Sequence, residues 1–283
     1  MNAIYRTLGL SKQAFHQRLD HYLHQLDEQQ QLIPVIQQIR NDHPSLSARE
    51  MYFMINPSCM GRDRFEAFCF ENGFKVEVKR SFRRTTNSLG VTRFDNLVTG
   101  CEVNTINQVW VSDITYYELE GECYYLTFVM DLYSRYIVGY SVSRTLFTED
   151  TTVPALRLAL RQRTISSGLI FHSDGGGQYY SKQFLALTRL HGIRNSMGKN
   201  VWENPNAERI NGTIKNGYVK HYNPQNYPDL IAKVKRAATN YNLRPHSMLK
   251  RKSPTTFEEL INNSTKEKKN QKKKSYNNSY NYV

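Results

Sequence analysis

The stretch Leu169-Ile-Phe-His-Ser-Asp-Gly-Gly-Gly-Gln-Tyr-Tyr180 joins an apolar run to a glycine-rich turn. Leu169, Ile170 and Phe171 predict a short buried strand that the glycines end, so Asp174 is delivered to a strand end. Downstream, Glu203-Asn-Pro-Asn-Ala-Glu208 puts Pro205 in the first turn of a helix, and Ala207, Ile210, Ile214 and Tyr218 follow at helical spacing. Seven residues at about 3.6 per turn make nearly two turns, so Glu208, Asn211 and Lys215 share one stripe. Taken singly, an Asp before glycines is ordinarily a turn residue, and a Glu in a first helical turn ordinarily serves the helix dipole.

A third carboxylate changes that weighting. Asn107-Gln-Val-Trp-Val-Ser-Asp-Ile-Thr-Tyr-Tyr117 is rich in β-branched and aromatic residues, and strand alternation puts Val111, Asp113 and Thr115 on one face. Alone, Asp113 reads equally well as a solvated position on an edge strand. Together, Asp113, Asp174 and Glu208 offer three carboxylates from two strands and a helix, enough to hold two hard cations through oxygen. Asp131 and Glu203 compete for the first and third positions. Asp131 lies beside Arg135 at a strand end, where an ion pair or turn cap explains it, and Glu203 precedes Pro205, outside the helix.

Four ordered blocks carry a family resemblance: Trp110-Val-Ser-Asp-Ile-Thr115; Met130-Asp-Leu-Tyr-Ser-Arg135 with Ile137-Val-Gly-Tyr140; His172-Ser-Asp-Gly-Gly-Gly-Gln-Tyr179; and Glu203 to Lys215. They resemble bacterial insertion-sequence transposases with a retroviral-integrase-like catalytic core, the type encoded by an element's second reading frame. The resemblance implies an α/β, ribonuclease H-like core with a mixed five-stranded sheet and helices. It also implies a D-D-E triad of Asp113, Asp174 and Glu208 holding two Mg²⁺ (or Mn²⁺) ions. The activity implied is cleavage at element ends to free a 3′-hydroxyl, then attack of that hydroxyl on target DNA. The interval between Asp174 and Glu208 is slightly shorter than this group's usual one, and the shortening falls in Ser196 to Trp202, ahead of the intact Glu203 to Glu208 pattern.

Charge points the same way. Among 283 residues Lys and Arg number 38 against 25 Asp and Glu, a net +13, which fits a polyanionic partner. No apolar stretch has the length of a spanning helix and no signal peptide is recognisable, so the expectation is a cytoplasmic, nucleoid-associated bacterial protein with no membrane partner. Cys59, Cys69, Cys101 and Cys123 form no C-x-x-C pair, which excludes a zinc finger or a disulfide framework and leaves reduced thiols.

Along the chain, residues 1–78 read as an all-α, helix-turn-helix-like DNA-binding region. Ser11 caps a helix through Phe15, Leu19, Tyr22, Leu23 and Leu26; a further helix carries Leu32, Ile33, Ile36 and Ile39 with Pro34 in its first turn; others begin at Ala48 and Arg62. Residues 79–104 form a basic linker in which Arg83 and Arg84 are expected to lie along DNA phosphates. Residues 105–222 hold the core: three strands in an antiparallel meander, a helix over Thr151 to Arg163 with Arg157, Arg161 and Arg163 outward, the Asp174 strand, and a helix, strand and helix. Lys215, Gln178 and Asn211 are further DNA-contact candidates there. Gly212 and Gly217 within the last helix fit close approach of DNA, and fraying explains the second as well. Residues 223–261 form a helical extension, and residues 262–283, lysine-rich and then Ser/Asn/Tyr-rich, a disordered basic tail. Transposition joins two ends, so a homo-oligomer on DNA is expected, with an upstream-frame companion as a further partner. A domesticated DNA-binding protein that keeps the fold without cutting, and a structure-specific nuclease, are the alternative functions.

Overall fold

The computed structural model describes Gly9 and residues 11–76, 94–198 and 203–264. The chain divides into two compact units, Met1–Val78 and Lys79–Val283. Arg83, Arg84, most of the basic linker, residues 199–202 and the tail from 265 onward lie outside the described residues, as does any helix ahead of Gly9.

In the first unit, α1 (Lys12–Asp42) opens on Ser11, whose hydroxyl accepts the Ala14 N–H at 3.1 Å. The helix then runs through Pro34. The expected separate helix with Pro34 in its first turn is therefore wrong: a proline inside a helix removes one hydrogen bond, and here the surrounding stripe of Leu32, Ile33, Ile36 and Ile39 packs into the unit's core and outweighs that loss. His43 to Ser47 turns the chain into α2 (Ala48–Ile55), capped by Ser47, and α3 (Arg62–Glu71) follows. Arg40 ties the turn together by donating to the carbonyls of Pro44, Leu46 and Phe74 at 3.0, 2.6 and 2.8 Å. Ile36, Leu46, Met51, Phe65, Phe68 and Cys69 form the core. The four cysteines are free thiols.

The second unit is built on one sheet. β1 (Val109–Leu119) and β2 (Glu122–Asp131) pair antiparallel across Glu120 and Gly121, both at positive φ, the conformation a two-residue hairpin turn demands. β3 (Ile137–Ser143) completes the meander. After α4 (Thr152–Gln162), β4 (Ile170–Ser173) returns parallel to β1, with Val111 opposite His172. α5 (Lys182–Leu190) leads to β5 (Arg194–Met197), parallel to β4, giving the order β3-β2-β1-β4-β5. This is the mixed five-stranded sheet of a ribonuclease H-like core.

Alternation along the strands sets two apolar layers. Trp110, Val129, Val138 and Phe171 face α4 and α5, where Leu156, Tyr179 and Phe184 meet them. Val109, Val111, Phe128 and Met130 face the other side, covered by α6 (Pro205–Ile214) and α7 (Tyr227–Leu243) through Ile210, Ile214, Leu230 and Val234. Helix α6 does not fray at Gly217. It widens into a π turn over Lys215–Val219 and closes at Lys220–Tyr222, with Tyr218 and Val219 buried. Arg163 is not outward either: its guanidinium meets the carboxylate of Glu258 at 2.7 Å and lies over the Tyr136 ring.

Gly139 is where β3 and α4 come closest. A Cβ there would stand 2.2 Å from the Ala155 carbonyl oxygen and 3.0 Å from the Ala159 Cβ, so backbone would have to move. Gly139→Ala is expected to cost about 3 kcal/mol, measured by urea denaturation, as overpacking against main chain does; an unchanged midpoint would refute the close approach.

Candidate active site

Asp113 sits in mid-β1 on the face that α6 covers, and Asp174 follows the last residue of the neighbouring strand β4. Parallel pairing of Val111 with His172 carries both chains forward in step, so the two carboxylates emerge side by side. Glu208 stands on the first turn of α6, exposed at the rim. The Asp113 carboxylate accepts from the Asn211 side-chain amide and from the Ile114 N–H, each at 2.8 Å. Asp174 accepts the Gly176 N–H at 3.1 Å, so the glycine turn orients this carboxylate.

The three groups feel one another. Burial, then the charge of Asp174 and more weakly that of Glu208, pushes Asp113 up to about 7. Burial raises Asp174, and burial together with Asp174 raises Glu208. Among the described residues none of the three is in an ion pair. Nor do any three His, Cys, Asp or Glu side chains close into a ready-made metal cluster. Oxygen-only donors with uncompensated negative charge fit a hard divalent ion and leave no role for a soft one.

These shifts have a stability consequence. The carboxyl group of Asp113 takes up a proton more readily in the folded chain than in the unfolded one. Its contribution is therefore fully present below the unfolded pKa near 4 and is lost as pH rises through the folded value of about 7. In EDTA, unfolding free energy is expected to fall by a few kcal/mol between pH 4 and pH 8 relative to Asp113→Asn. Chemical denaturation of both proteins across that range checks it, and parallel curves would refute it.

Around the carboxylates the sequence candidates divide. Lys215 lies over the ring of Tyr116 and donates to the Thr115 hydroxyl at 3.0 Å and the Tyr116 carbonyl at 3.3 Å. Asn211, expected at DNA, is instead buried and committed to Asp113: azimuth placed it on the right stripe, but its short side chain ends inside the helix-sheet interface. Gln178 donates to the Leu146 carbonyl at 3.0 Å at the edge of the glycine turn. Asp131 is a turn cap, accepting from the N–H groups of Asn107, Tyr133 and Ser134. Glu203 lies outside α6 and accepts the Asn96 side-chain amide at 2.8 Å.

Sequence reading offers His172 as a DNA contact or a support of this site, and it missed Asn204 and Ser196. Asn204 donates to the Ser112 carbonyl at 2.9 Å, tying the entry of α6 to β1 one residue before Asp113. His172 bridges Ser196 and the Glu203 carbonyl at 2.9 and 3.2 Å. A carbonyl can only accept, so Nε2 carries the proton, and the Ser196 hydroxyl, which accepts from the Leu97 N–H, donates to Nδ1. Burial lowers the His172 pKa, in keeping with this neutral tautomer. Only the Asn-Pro step before α6 could have signalled any of this.

The integrase core domain family matches residues 104–200, and a second integrase core domain family matches residues 192–254. The insertion element IS600 uncharacterized 31 kDa protein of Shigella sonnei is 34% identical over 210 residues, covering 72% of this chain and 77% of that protein. Transposase InsF for insertion sequence IS3A of Escherichia coli (strain K12) is 40% identical over 91 residues, 32% of this chain and 31% of that protein. Among solved structures, the magnesium complex of the HTLV-2 integrase catalytic core domain (trimeric form) aligns with a TM-score of 0.45 at 22% identity, over 53% of this chain and 95% of that one. The catalytic core domain of BIV integrase aligns with a TM-score of 0.44 at 18% identity, over 56% and 98%. Among the described residues no helix is long and apolar enough to cross a membrane.

Proposed function

The chain belongs to the bacterial insertion-sequence transposases with an integrase-like core, polynucleotidyl transferases of DNA transposition and integration, and on that premise we propose that Asp113, Asp174 and Glu208 are its catalytic carboxylates. What supports this reading is the placement of the three carboxylates on two adjacent strands and the helix crossing them, close enough that the charge of Asp174 raises both Asp113 and Glu208. They would hold two Mg²⁺ or Mn²⁺ ions, whose chemistry when bound is to stabilise negative charge on the attacking and leaving oxygens of a phosphodiester.

The chain's own residues do the positioning. Asn211 and the Ile114 N–H fix the rotamer of Asp113, and the Gly176 N–H fixes that of Asp174. Lys215 has three donors and spends two on Thr115 and Tyr116, which leaves one for a DNA phosphate. Gln178 has one amide hydrogen left for the same task. Arg83 and Arg84 extend the contact along the backbone, the region 1–78 binds the element ends, and the basic tail adds nonspecific attraction. The protein works as a homo-oligomer on DNA in the nucleoid, with an upstream-frame companion contributing to end recognition.

The test is strand cleavage and joining on labelled element-end duplexes from the flanking genome, with Mg²⁺ or Mn²⁺. Joined product is expected. Cleavage without joining would identify a nuclease, and binding with neither would identify a DNA-binding protein that only keeps the fold.

A further inference from the structure

Three arginines stand outside the carboxylate site: Arg135 after β2, Arg209 on α6 and Arg244 after α7. The fold brings all three to one cavity of about 200 Å³, lined also by Asn206, Thr213 and His246. Asn206, Arg209 and Thr213 follow at helical spacing on α6. Successive helical residues diverge by about 100°, so this stripe is distinct from that of Glu208, Asn211 and Lys215. Helix α6 therefore shows the carboxylate site on one side and a cationic cavity on the next.

Among the described residues no ion pair joins Arg135, Arg209 or Arg244 to a carboxylate. Arg135 is half-buried on a backbone at φ +62°, a region few non-glycine residues occupy, and its guanidinium donates to the Asn206 side-chain oxygen at 2.5 Å. The neighbouring His246 is pushed down to about 4 by burial and then by the same three arginines. Gathering guanidinium groups without a counter-charge is costly, and their planar forks match phosphate oxygens in a bidentate way that lysine does not.

We propose that Arg135, Arg209 and Arg244 form a pocket for a DNA backbone phosphate, separate from the carboxylate site and anchoring the duplex against α6. This rests on the reading of the chain as a DNA transposase.

The test uses the full chain and a fluorescent element-end duplex, with affinity measured by anisotropy from 50 to 300 mM salt. Arg209 is exposed, so Arg209→Gln keeps the fold where Arg244→Gln, which removes the hydrogen bond to Tyr218, endangers it. Arg209→Gln is expected to weaken binding about tenfold at 150 mM salt, equally for unrelated sequences, and to reduce the logarithmic salt slope by about 0.9. Arg157→Gln, an equal charge change on the exposed face of α4, is expected to leave the slope unchanged. A wild-type chain that binds duplex while Arg209→Gln keeps its slope would overturn the pocket alone; a wild-type chain that binds no duplex would overturn the DNA reading with it. A melting-temperature rise with millimolar inorganic phosphate, without a slope change on DNA, would mark a free-phosphate site and also overturn the proposal.

Discussion

Glu208→Gln is expected to reduce metal-dependent cleavage and joining on the order of 10³-fold while leaving duplex affinity and melting temperature close to those of the parent. Gln keeps the shape of the side chain and removes one negative ligand, and a metal site that contributes several kcal/mol to the transition state loses about that factor when its ligand set is broken. Folding is spared because Glu208 is exposed and its carboxylate is held up by burial and by Asp174, an interaction the amide relieves. Glu203→Gln is the comparison. Its carboxylate meets the Asn96 amide outside the helix, so the expected loss is no more than about tenfold, through slackening of the entry to α6. Timed gel assays with both variants decide between them; equal losses would remove the distinction, and a larger loss for Glu203→Gln would move the ligand role there.

How much of this was readable depends on the range of the interaction. The face of Asp113 followed from strand alternation, because Val111 and Thr115 share it and the apolar layer under α6 confirms the parity. The strand order could be anticipated from the succession of elements. Pro34 misled because proline is favoured in a first helical turn, whereas the packing that holds one continuous helix through it is a tertiary effect with no local signature. Gly217 misled because frequency in frayed ends says nothing of a π turn held by buried Tyr218 and Val219. The Asn96–Glu203 and Leu97–Ser196 contacts span about a hundred positions and use short polar side chains with no periodic signature. Asn211 shows the limit of azimuth, which gives a direction around the helix and not the depth at which a side chain ends.

Arg163 was also misjudged, and its true position predicts the largest stability effect in the second unit. Glu258, in the closing helix over 254–264, is buried between Arg163 and Ser134. The Ser134 backbone N–H donates to Asp131 at 2.9 Å, and Asp131 accepts the Asn107 N–H two residues before β1 begins, so a polar chain runs from the closing helix to the strand that carries Asp113. Glu258→Leu leaves the largely buried Arg163 guanidinium without its carboxylate and is expected to cost about 3–5 kcal/mol, as breaking one side of a buried pair does. Arg163→Met strands the carboxylate instead and should cost a similar amount. The double variant Arg163→Met/Glu258→Leu removes both charges and both desolvation costs, so it is expected to recover most of the loss. Urea denaturation of the four proteins closes this cycle. Additive losses in the double variant would mean that the pair contributes through packing against Tyr136 and the helix rather than through charge. A strong recovery of stability with persistently slow strand joining would show that the polar chain positions β1 as well as stabilising it.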